Sequence, residues 1–443
     1  MNMDLLNGKV RNIFFKYLAA VFVGSCIPCI YGIVDMVVVG QYYGPEGTAA
    51  MTVVMPIYNI IFSLGILVGI GGSVLFSHER GKNPDDPRAR NEFFTVSLIW
   101  AALLSLIVWA VCFPLEEQLL VFFGADEELL PLSEEYILPL LIMAPAFLFS
   151  QFFSAFLRND NSPGLVTGAV LAGGVFNVIA DVVFVFGLDM GIMGAGLASG
   201  LGSVIESLVL ITHFFTKKNS IRIVRITGFF KKSGSIFATG FSTFITDFAL
   251  GIITVLLNRQ IMAYFDSTAL SVFGILMNIN TFVQCCGYSV GQASQPLFSV
   301  NFGAGKNGRI KEALRYALIT AIAFGVIWLA LIVCVPNVFV KLFMAPTQEV
   351  LAIAPGIVRR YGLAFLFLPF NVFTTYYLQA LMRPKAAMAI SLSRGLVLCG
   401  IFIIVFPIVF GADALWFAMP AAEAVTAVFA AVMTVRYTRK LED

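Results

Sequence analysis

The stretch LVTGAVLAGGVFNVIADVVFVFGL, residues 165–188, decides the fold, because it is apolar enough to cross a bilayer yet contains Asn177 and Asp181. A helix of about 20 apolar residues spans the hydrocarbon core. An ionisable group at that depth costs roughly 2.5–3.5 kcal/mol on insertion scales. A helix places Asn177 and Asp181 on one face, because they are four residues apart. Asp35 interrupts a second apolar run, 14–40, and the three side chains together indicate a buried site for a cation or a proton.

The composition is that of a polytopic membrane protein. The chain has 443 residues, of which 59% are hydrophobic and 12% charged, and its mean hydropathy is +0.90. Soluble domains carry about 25% charged residues. The net charge of +2 gives no indication of a nucleic-acid partner, and we expect no cleaved signal peptide. The seven cysteines lie in or beside apolar runs and the two histidines at helix ends, so no redox pair or His–Cys metal site is expected.

Twelve apolar runs are predicted to span the membrane. With both termini in the cytoplasm, 23 of the 28 Lys and Arg residues lie on the inner side, and the outer connection after the third span carries acids only. The positive-inside rule therefore predicts two cytoplasmic termini. The predicted spans are 13–39, 49–76, 93–113, 134–157, 164–188, 191–215, 235–258, 268–299, 313–335, 356–381, 387–410 and 412–435.

The second half of the sequence repeats the first. Residues 75–77 and 81–83 recur as 297–299 and 305–307, Pro145 as Pro369, 155–158 as 380–383, and 186–189 as 410–413. Because each half has an even number of spans, both enter the membrane the same way round, and such parallel repeats are a transporter architecture. We therefore predict an all-α protein of two pseudo-symmetric six-helix lobes: residues 1–215, a basic cytoplasmic linker at 216–233, and residues 234–443.

Four stretches carry a family resemblance. They are Tyr31-Gly-Ile-Val-Asp35 with Val39-Gly40 and Gly44; Asn177-Val-Ile-Ala-Asp181 with Phe186-Gly187, Gly191, Gly194-Ala195 and Ala198-Ser199; Gln295-Pro296 with Asn301-Phe-Gly-Ala-Gly-Lys306; and Arg394 with Phe410-Gly411 and Trp416. With the twelve spans, they resemble the multidrug and toxic compound extrusion (MATE) antiporters, in the prokaryotic branch whose amino-terminal lobe binds a cation. The resemblance implies a monomeric transporter of a prokaryotic cytoplasmic membrane, not an enzyme and without a cofactor. The resemblance further implies export of amphipathic, often cationic compounds in exchange for H⁺ or Na⁺.

The resemblance also implies the ligands of the cation. In relatives these are the first-span Asp, the fifth-span Asn and Asp, a sixth-span hydroxyl and a backbone carbonyl one turn before it. They fall here on Asp35, Asn177, Asp181, Ser199 and Ala195. Ser199 stands where relatives commonly have Thr.

A second departure concerns the first span. Relatives have a kinking proline about fifteen residues before the first-span Asp, a place that Ala20 occupies here, and the proline of this span is Pro28. The location of any kink in the first helix is therefore open.

Hard oxygen ligands suit either coupling ion, so the sequence leaves Na⁺ and H⁺ open. Two carboxylates in low dielectric cannot both stay charged without compensation, which a proton or a Na⁺ ion supplies. Neutralisation of Asp35 and Asp181 would then change the conformation of the amino-terminal lobe and release the drug.

Further polar residues interrupt other spans: Glu206, Asp247, Gln284, Arg394 and Glu423. They are candidates for binding substrate or a second proton. For Asp247 the alternative is a structural ion pair with Arg394. For Glu206 and Glu423 it is a cytoplasm-facing cavity or side chains that reach the interface.

Three other functions are weighed against antiport. A flippase for lipid-linked oligosaccharides or other lipids belongs to the same superfamily, but such proteins often have fourteen spans. A membrane enzyme would need a nucleophile, base or metal cluster near an interface, and a channel would need rings of pore residues from an oligomer. The segment 301–307 is predicted to be a cytoplasmic turn, because Asn307 follows Lys306 where a phosphate-binding loop requires Ser or Thr.

Overall fold

The computed structural model describes residues 4–343 and 348–441, except for the side chains at positions 45, 247, 250, 267 and 343. Within these ranges the chain is helical and contains no strand. The helices are α1 Val10–Tyr43, α2 Pro45–Lys82, α3 Pro87–Cys112, α4 Glu116–Phe123, α5 Leu130–Ile142, α6 Ala144–Asn159, α7 Pro163–Val182, α8 Gly191–Ile211, α9 Phe229–Tyr264, α10 Ser267–Gly303, α11 Asn307–Cys334, α12 Pro336–Phe343, α13 Gln348–Gly362, α14 Leu368–Ala380, α15 Pro384–Leu392, α16 Leu398–Phe410 and α17 Ala418–Arg439.

The helix ends follow local sequence signals. Asp86 caps α3, because its Oδ1 accepts hydrogen bonds from the backbone nitrogens of Arg88 and Ala89 at 2.9 and 3.3 Å. Asp266 caps α10 through the backbone nitrogen of Ala269 at 2.8 Å. Two short π-helical segments extend regular helices: Val183–Gly187 follows α7, and Ser393–Val397 joins α15 to α16.

The predicted twelve spans are confirmed by helix length and composition. Eleven stretches of the described residues are long and apolar enough to cross a bilayer, and the pair α5 and α6 makes a twelfth if it is one bent span. The two helices meet at 51°. The bend lies between Pro139 and Pro145, and each proline removes a backbone donor and restricts the residue before it.

Close packing in the first unit depends on residues without a side chain. This unit consists mainly of residues 19–244. A Cβ atom added to Gly71 would lie 2.2 Å from the carbonyl oxygen of Ile236, and one added to Gly240 would lie 1.9 Å from that of Leu67. The glycines therefore let α2 and the first part of α9 touch backbone to backbone, as small residues do between membrane helices.

The second unit contains residues 5–18 and the chain from 245 onward. The amino-terminal segment is fixed by the turn between α10 and α11. Asn301 Nδ2 and Arg309 Nη2 each donate to the Leu5 carbonyl at 3.0 Å, and Lys306 Nζ donates to the Leu6 carbonyl at 3.0 Å. The motif 301–306 is thus a structural turn that binds backbone carbonyls.

The connection between the sequence halves packs within the first unit. The backbone nitrogen of Ser220 donates to Asp160 Oδ2 at 2.9 Å, and that of Arg222 donates to Asn91 Oδ1 at 2.9 Å. The contact-based units therefore differ from the sequence halves, because each unit includes a segment from the opposite half. The predicted division at 216–233 describes the sequence repeat and stays a prediction.

Candidate cation site

Helices α1, α7 and α8 bring the three predicted polar side chains together in the first unit. Asp35, Asn177 and Asp181 are 6%, 2% and 0% exposed. Helices α7 and α8 approach closely at Gly173 and Gly202, since a Cβ on Gly202 would lie 3.0 Å from the Gly173 carbonyl oxygen. This approach places Asn177 of α7 against α8.

Ser199 connects the helices through hydrogen bonds. Asn177 Nδ2 donates to Ser199 Oγ at 3.2 Å, and Ser199 Oγ donates to Asp35 Oδ2 at 2.9 Å. Ala195 is fully buried one turn earlier on α8. The structure thus joins Asp35, Asn177 and Ser199 directly.

The cluster has more acceptor oxygens than donors. Asp35 Oδ1, Asn177 Oδ1 and both carboxylate oxygens of Asp181 are buried without a hydrogen-bond partner. Asp35 and Asp181 lie close enough for a hydrogen bond between them once one carboxyl holds a proton. Buried polar atoms are normally paired, so these four oxygens fit a small cation or a proton. Among the described residues no three His, Cys, Asp or Glu side chains converge on a metal position.

Three tyrosines lie beside the cluster, and none was predicted as a site residue, although Tyr31 belongs to a stretch that carries the family resemblance. Tyr31, Tyr58 and Tyr136 each interact electrostatically with Asp35. Tyr31 precedes Asp35 by four residues, a spacing that places both on one face of α1 and could have identified it. Tyr58 and Tyr136 come from α2 and α5, and no local pattern points to them.

The other polar candidates form separate groups. Glu206 is 8% exposed and interacts electrostatically with Arg158. Its Oε1 is buried without a hydrogen-bond partner. Gln284 Nε2 donates to the Tyr288 hydroxyl at 2.6 Å. The Asp247 side chain lies outside the described residues.

Arg394 and Glu423 form an ion pair in the second unit. Arg394 Nε donates to Glu423 Oε1 at 2.6 Å, and Asn371 Nδ2 donates to Glu423 Oε2 at 2.6 Å. The Glu423 side chain is fully buried and that of Arg394 is 11% exposed. Glu423 therefore does not reach an interface, and the described partner of Arg394 is Glu423.

The sequence model of the MatE family matches residues 20–183 and 243–406. The chain belongs to the MatE family. The starts of the two matched stretches are 223 residues apart, in agreement with the predicted repeat. The resemblance is confirmed, and transport rather than catalysis is the activity of this family.

Individual MatE relatives are distant but similar over most of their length. The multidrug export protein MepA of Staphylococcus aureus is 23% identical over 385 residues, 86% of this chain and 84% of MepA. MepA of Staphylococcus saprophyticus is 24% identical over 387 residues, 85% of this chain and 83% of the relative. A MATE transporter solved in an outward-facing conformation matches the fold with a TM-score of 0.92 at 19% identity, covering 100% of this chain and 98% of that one.

Proposed function

We propose that this MatE protein exports amphipathic, often cationic compounds in exchange for H⁺ or Na⁺, which binds at Asp35, Asn177, Asp181 and Ser199, with the Ala195 carbonyl completing the site. The relatives named multidrug export proteins support the export of drugs. The lipid-flippase alternative is not favoured, because these relatives are drug exporters.

The observation that carries the proposal is the set of four unpaired oxygens on Asp35, Asn177 and Asp181. A buried carboxylate without a partner is costly, whereas a bound cation or proton satisfies it. The cost is present only while the cluster is empty. Ion binding therefore has a direct energetic effect on α1, α7 and α8, which meet at this point.

Ser199 gives the cluster a way to respond. Its hydroxyl donates to Asp35 while it accepts from Asn177, so its single proton is already committed. When a cation binds the carboxylates, they no longer need that hydrogen bond, and Ser199 can turn. A local change of this kind biases a conformational equilibrium only as far as the ion prefers one state.

The setting of the transporter follows the sequence pattern. We propose that it is a monomer in a prokaryotic cytoplasmic membrane, as the family resemblance implies, and that both termini lie in the cytoplasm, as the distribution of Lys and Arg indicates. Glu206, Asp247, Gln284, Arg394 and Glu423 stay candidates for contacts with substrate or a second proton. Among them, Arg394 and Glu423 are engaged with each other.

The test is uptake of ethidium into everted membrane vesicles, with a pH gradient and a Na⁺ gradient imposed separately. Asp35→Asn and Asp181→Asn should each abolish ion-driven uptake, because neither variant can alternate between a charged and a neutralised carboxyl. Glu46→Gln is the matched control, since Glu46 is an exposed acid in the first turn of α2. Undiminished transport in both aspartate variants would refute the proposal, and the gradient that drives the unmodified protein identifies the ion.

A further inference from the structure

The two sequence halves place a polar residue at the same point of equivalent helices. Phe186-Gly187 recurs 224 residues later as Phe410-Gly411, and the same offset takes Ser199 of α8 to Glu423 of α17. Ser199 belongs to the candidate cation site. Glu423 therefore occupies the corresponding position of the second half.

An asparagine amide also donates to that position in each half, from α7 in the first half and from the non-equivalent helix α14 in the second. Asn177 Nδ2 donates to Ser199 Oγ at 3.2 Å, and Asn371 Nδ2 donates to Glu423 Oε2 at 2.6 Å and to the Glu423 carbonyl at 2.8 Å. In both halves the asparagine Oδ1 is buried without a hydrogen-bond partner. The second unit thus holds a buried carboxylate beside an unpaired amide oxygen, which are hard ligands for a monovalent cation.

A positive charge already fills this position. Arg394 Nε lies 2.6 Å from Glu423 Oε1 and is the cation of the pair. Arg394 is carried by the π-helical segment Ser393–Val397, an irregularity that is frequent at functional sites. By contrast, neither Asp35 nor Asp181 has a basic side chain within salt-bridge distance in the described part of the chain.

We propose that Glu423 and Asn371 form a second monovalent-cation site, which Arg394 occupies as a tethered cation. The Arg394–Glu423 centre is therefore neutral without an ion from solution, whereas the Asp35–Asp181 centre of the first unit exchanges one. The inference depends on the proposed function in one respect, namely that the first unit binds the coupling ion.

The described groups beside the pair add no further charge at neutral pH. Tyr361 of α13 and Cys399 of α16 interact with Glu423, and Tyr288 of α10 interacts with Arg394. Tyrosine and cysteine side chains are ordinarily neutral there. Removal of Arg394 would leave a single negative charge, which a monovalent cation balances.

The experiment counts bound cations on the purified full-length protein, by equilibrium dialysis with radioactive Na⁺ and by proton uptake with a pH indicator. Arg394→Gln should bind one more equivalent of Na⁺ or H⁺ per chain than the unmodified protein. The double variant Arg394→Gln/Glu423→Gln should return to the unmodified number. An Arg394→Gln protein that binds no additional cation would overturn the inference.

Two further measurements keep the result decisive. If Arg394→Gln is unstable, its Tm should rise by more than that of the double variant, either in NaCl relative to choline chloride of equal ionic strength or as the pH is lowered. An equal response of the two variants in both series overturns the inference. Adding Asp35→Asn and Asp181→Asn should remove the first cation and leave the additional one. Loss of the additional cation as well would refute the second site, whereas retention of the first cation would refute only the proposed function.

Discussion

In the first unit Asp35 and Asp181 lie buried with three unpaired carboxylate oxygens, whereas in the second unit Glu423 gives one oxygen to Arg394 and the other to Asn371. The two centres share the equivalent helices α8 and α17, and in each an asparagine amide donates to the side chain on that helix. The difference is the source of positive charge. We expect the centre that lacks its own cation to respond to ions in solution, and the centre with a tethered guanidinium not to respond.

The largest expected effect is on the stability of the second unit. Arg394→Leu leaves the buried Glu423 carboxylate without its counter-charge, and we expect a loss of about 3–5 kcal/mol in the free energy of unfolding. Arg394→Leu/Glu423→Leu removes both charges and should restore most of that loss. Chemical unfolding in detergent measures the free energy of unfolding of both variants. A single variant as stable as the double one would show that the pair is not the main neutralising contact of Glu423.

The next largest effect on stability is expected in α9, where one glycine in each unit can be compared. Gly240 belongs to the first unit, and its added Cβ would lie 1.9 Å from the Leu67 carbonyl oxygen. Gly251 belongs to the second unit, and its added Cβ would contact no described atom of another part of the chain within 4 Å. Gly240→Ala should cost about 1–3 kcal/mol through overpacking. Gly251→Ala should instead be neutral or stabilise the helix by up to about 1 kcal/mol. Thermal unfolding distinguishes them, and equal Tm values would contradict the tight contact.

A smaller effect is expected at Ser199. Its hydroxyl occupies the position at which the second half has the Glu423 carboxylate. Ser199→Ala removes the hydrogen bond to Asp35, and we expect about a tenfold weaker affinity for the coupling ion, equivalent to about 1.4 kcal/mol. Ser199→Thr keeps the oxygen and should retain the affinity. Equilibrium dialysis of the purified variants measures the ion affinity of each. An unchanged affinity in Ser199→Ala would show that the hydroxyl is not a ligand of the ion.

The smallest effect concerns the part of α1 that lies in the first unit. Thr167 Oγ1 of α7 lies 2.6 Å from the Ala20 carbonyl oxygen, at the place of the proline in relatives. Thr167→Val should cost about 0.5–1.5 kcal/mol. Thr52→Val is the control, because the Thr52 hydroxyl bonds only to its own helix, at the Thr48 carbonyl. If both variants lose equal stability, the bond does not fix α1 against α7.

The sequence predicts the spans and most of the first centre for identifiable reasons. Helix length and hydropathy are local properties, and the four-residue spacing of Asn177 and Asp181 places them on one face without knowledge of the packing. Ser199 followed only from the family resemblance, since small polar residues are ordinary at membrane helix contacts. The fourth span was predicted as one helix, and its proline pair divides it into α5 and α6.

The second centre could not be predicted in the same way. Arg394 and Glu423 are 29 residues apart on different helices, and their pairing depends on how α17 packs beside the segment 393–397. Sequence alone offered Asp247 as the partner of Arg394, because an acid within a span is the obvious counter-charge for a base within a span. Tertiary packing, which brings Glu423 against Arg394, decides this pairing.

Two helices, α1 and α9, begin in one unit and end in the other, and the residues before each are anchored where the helix begins. Neither half of the gene therefore encodes a complete bundle. During synthesis, the first unit is complete only after residue 244 has been added. Residues 5–18 have no binding surface until α10 and α11 have been synthesised. Two polypeptides split at 215/216 should accordingly assemble only when they are produced together.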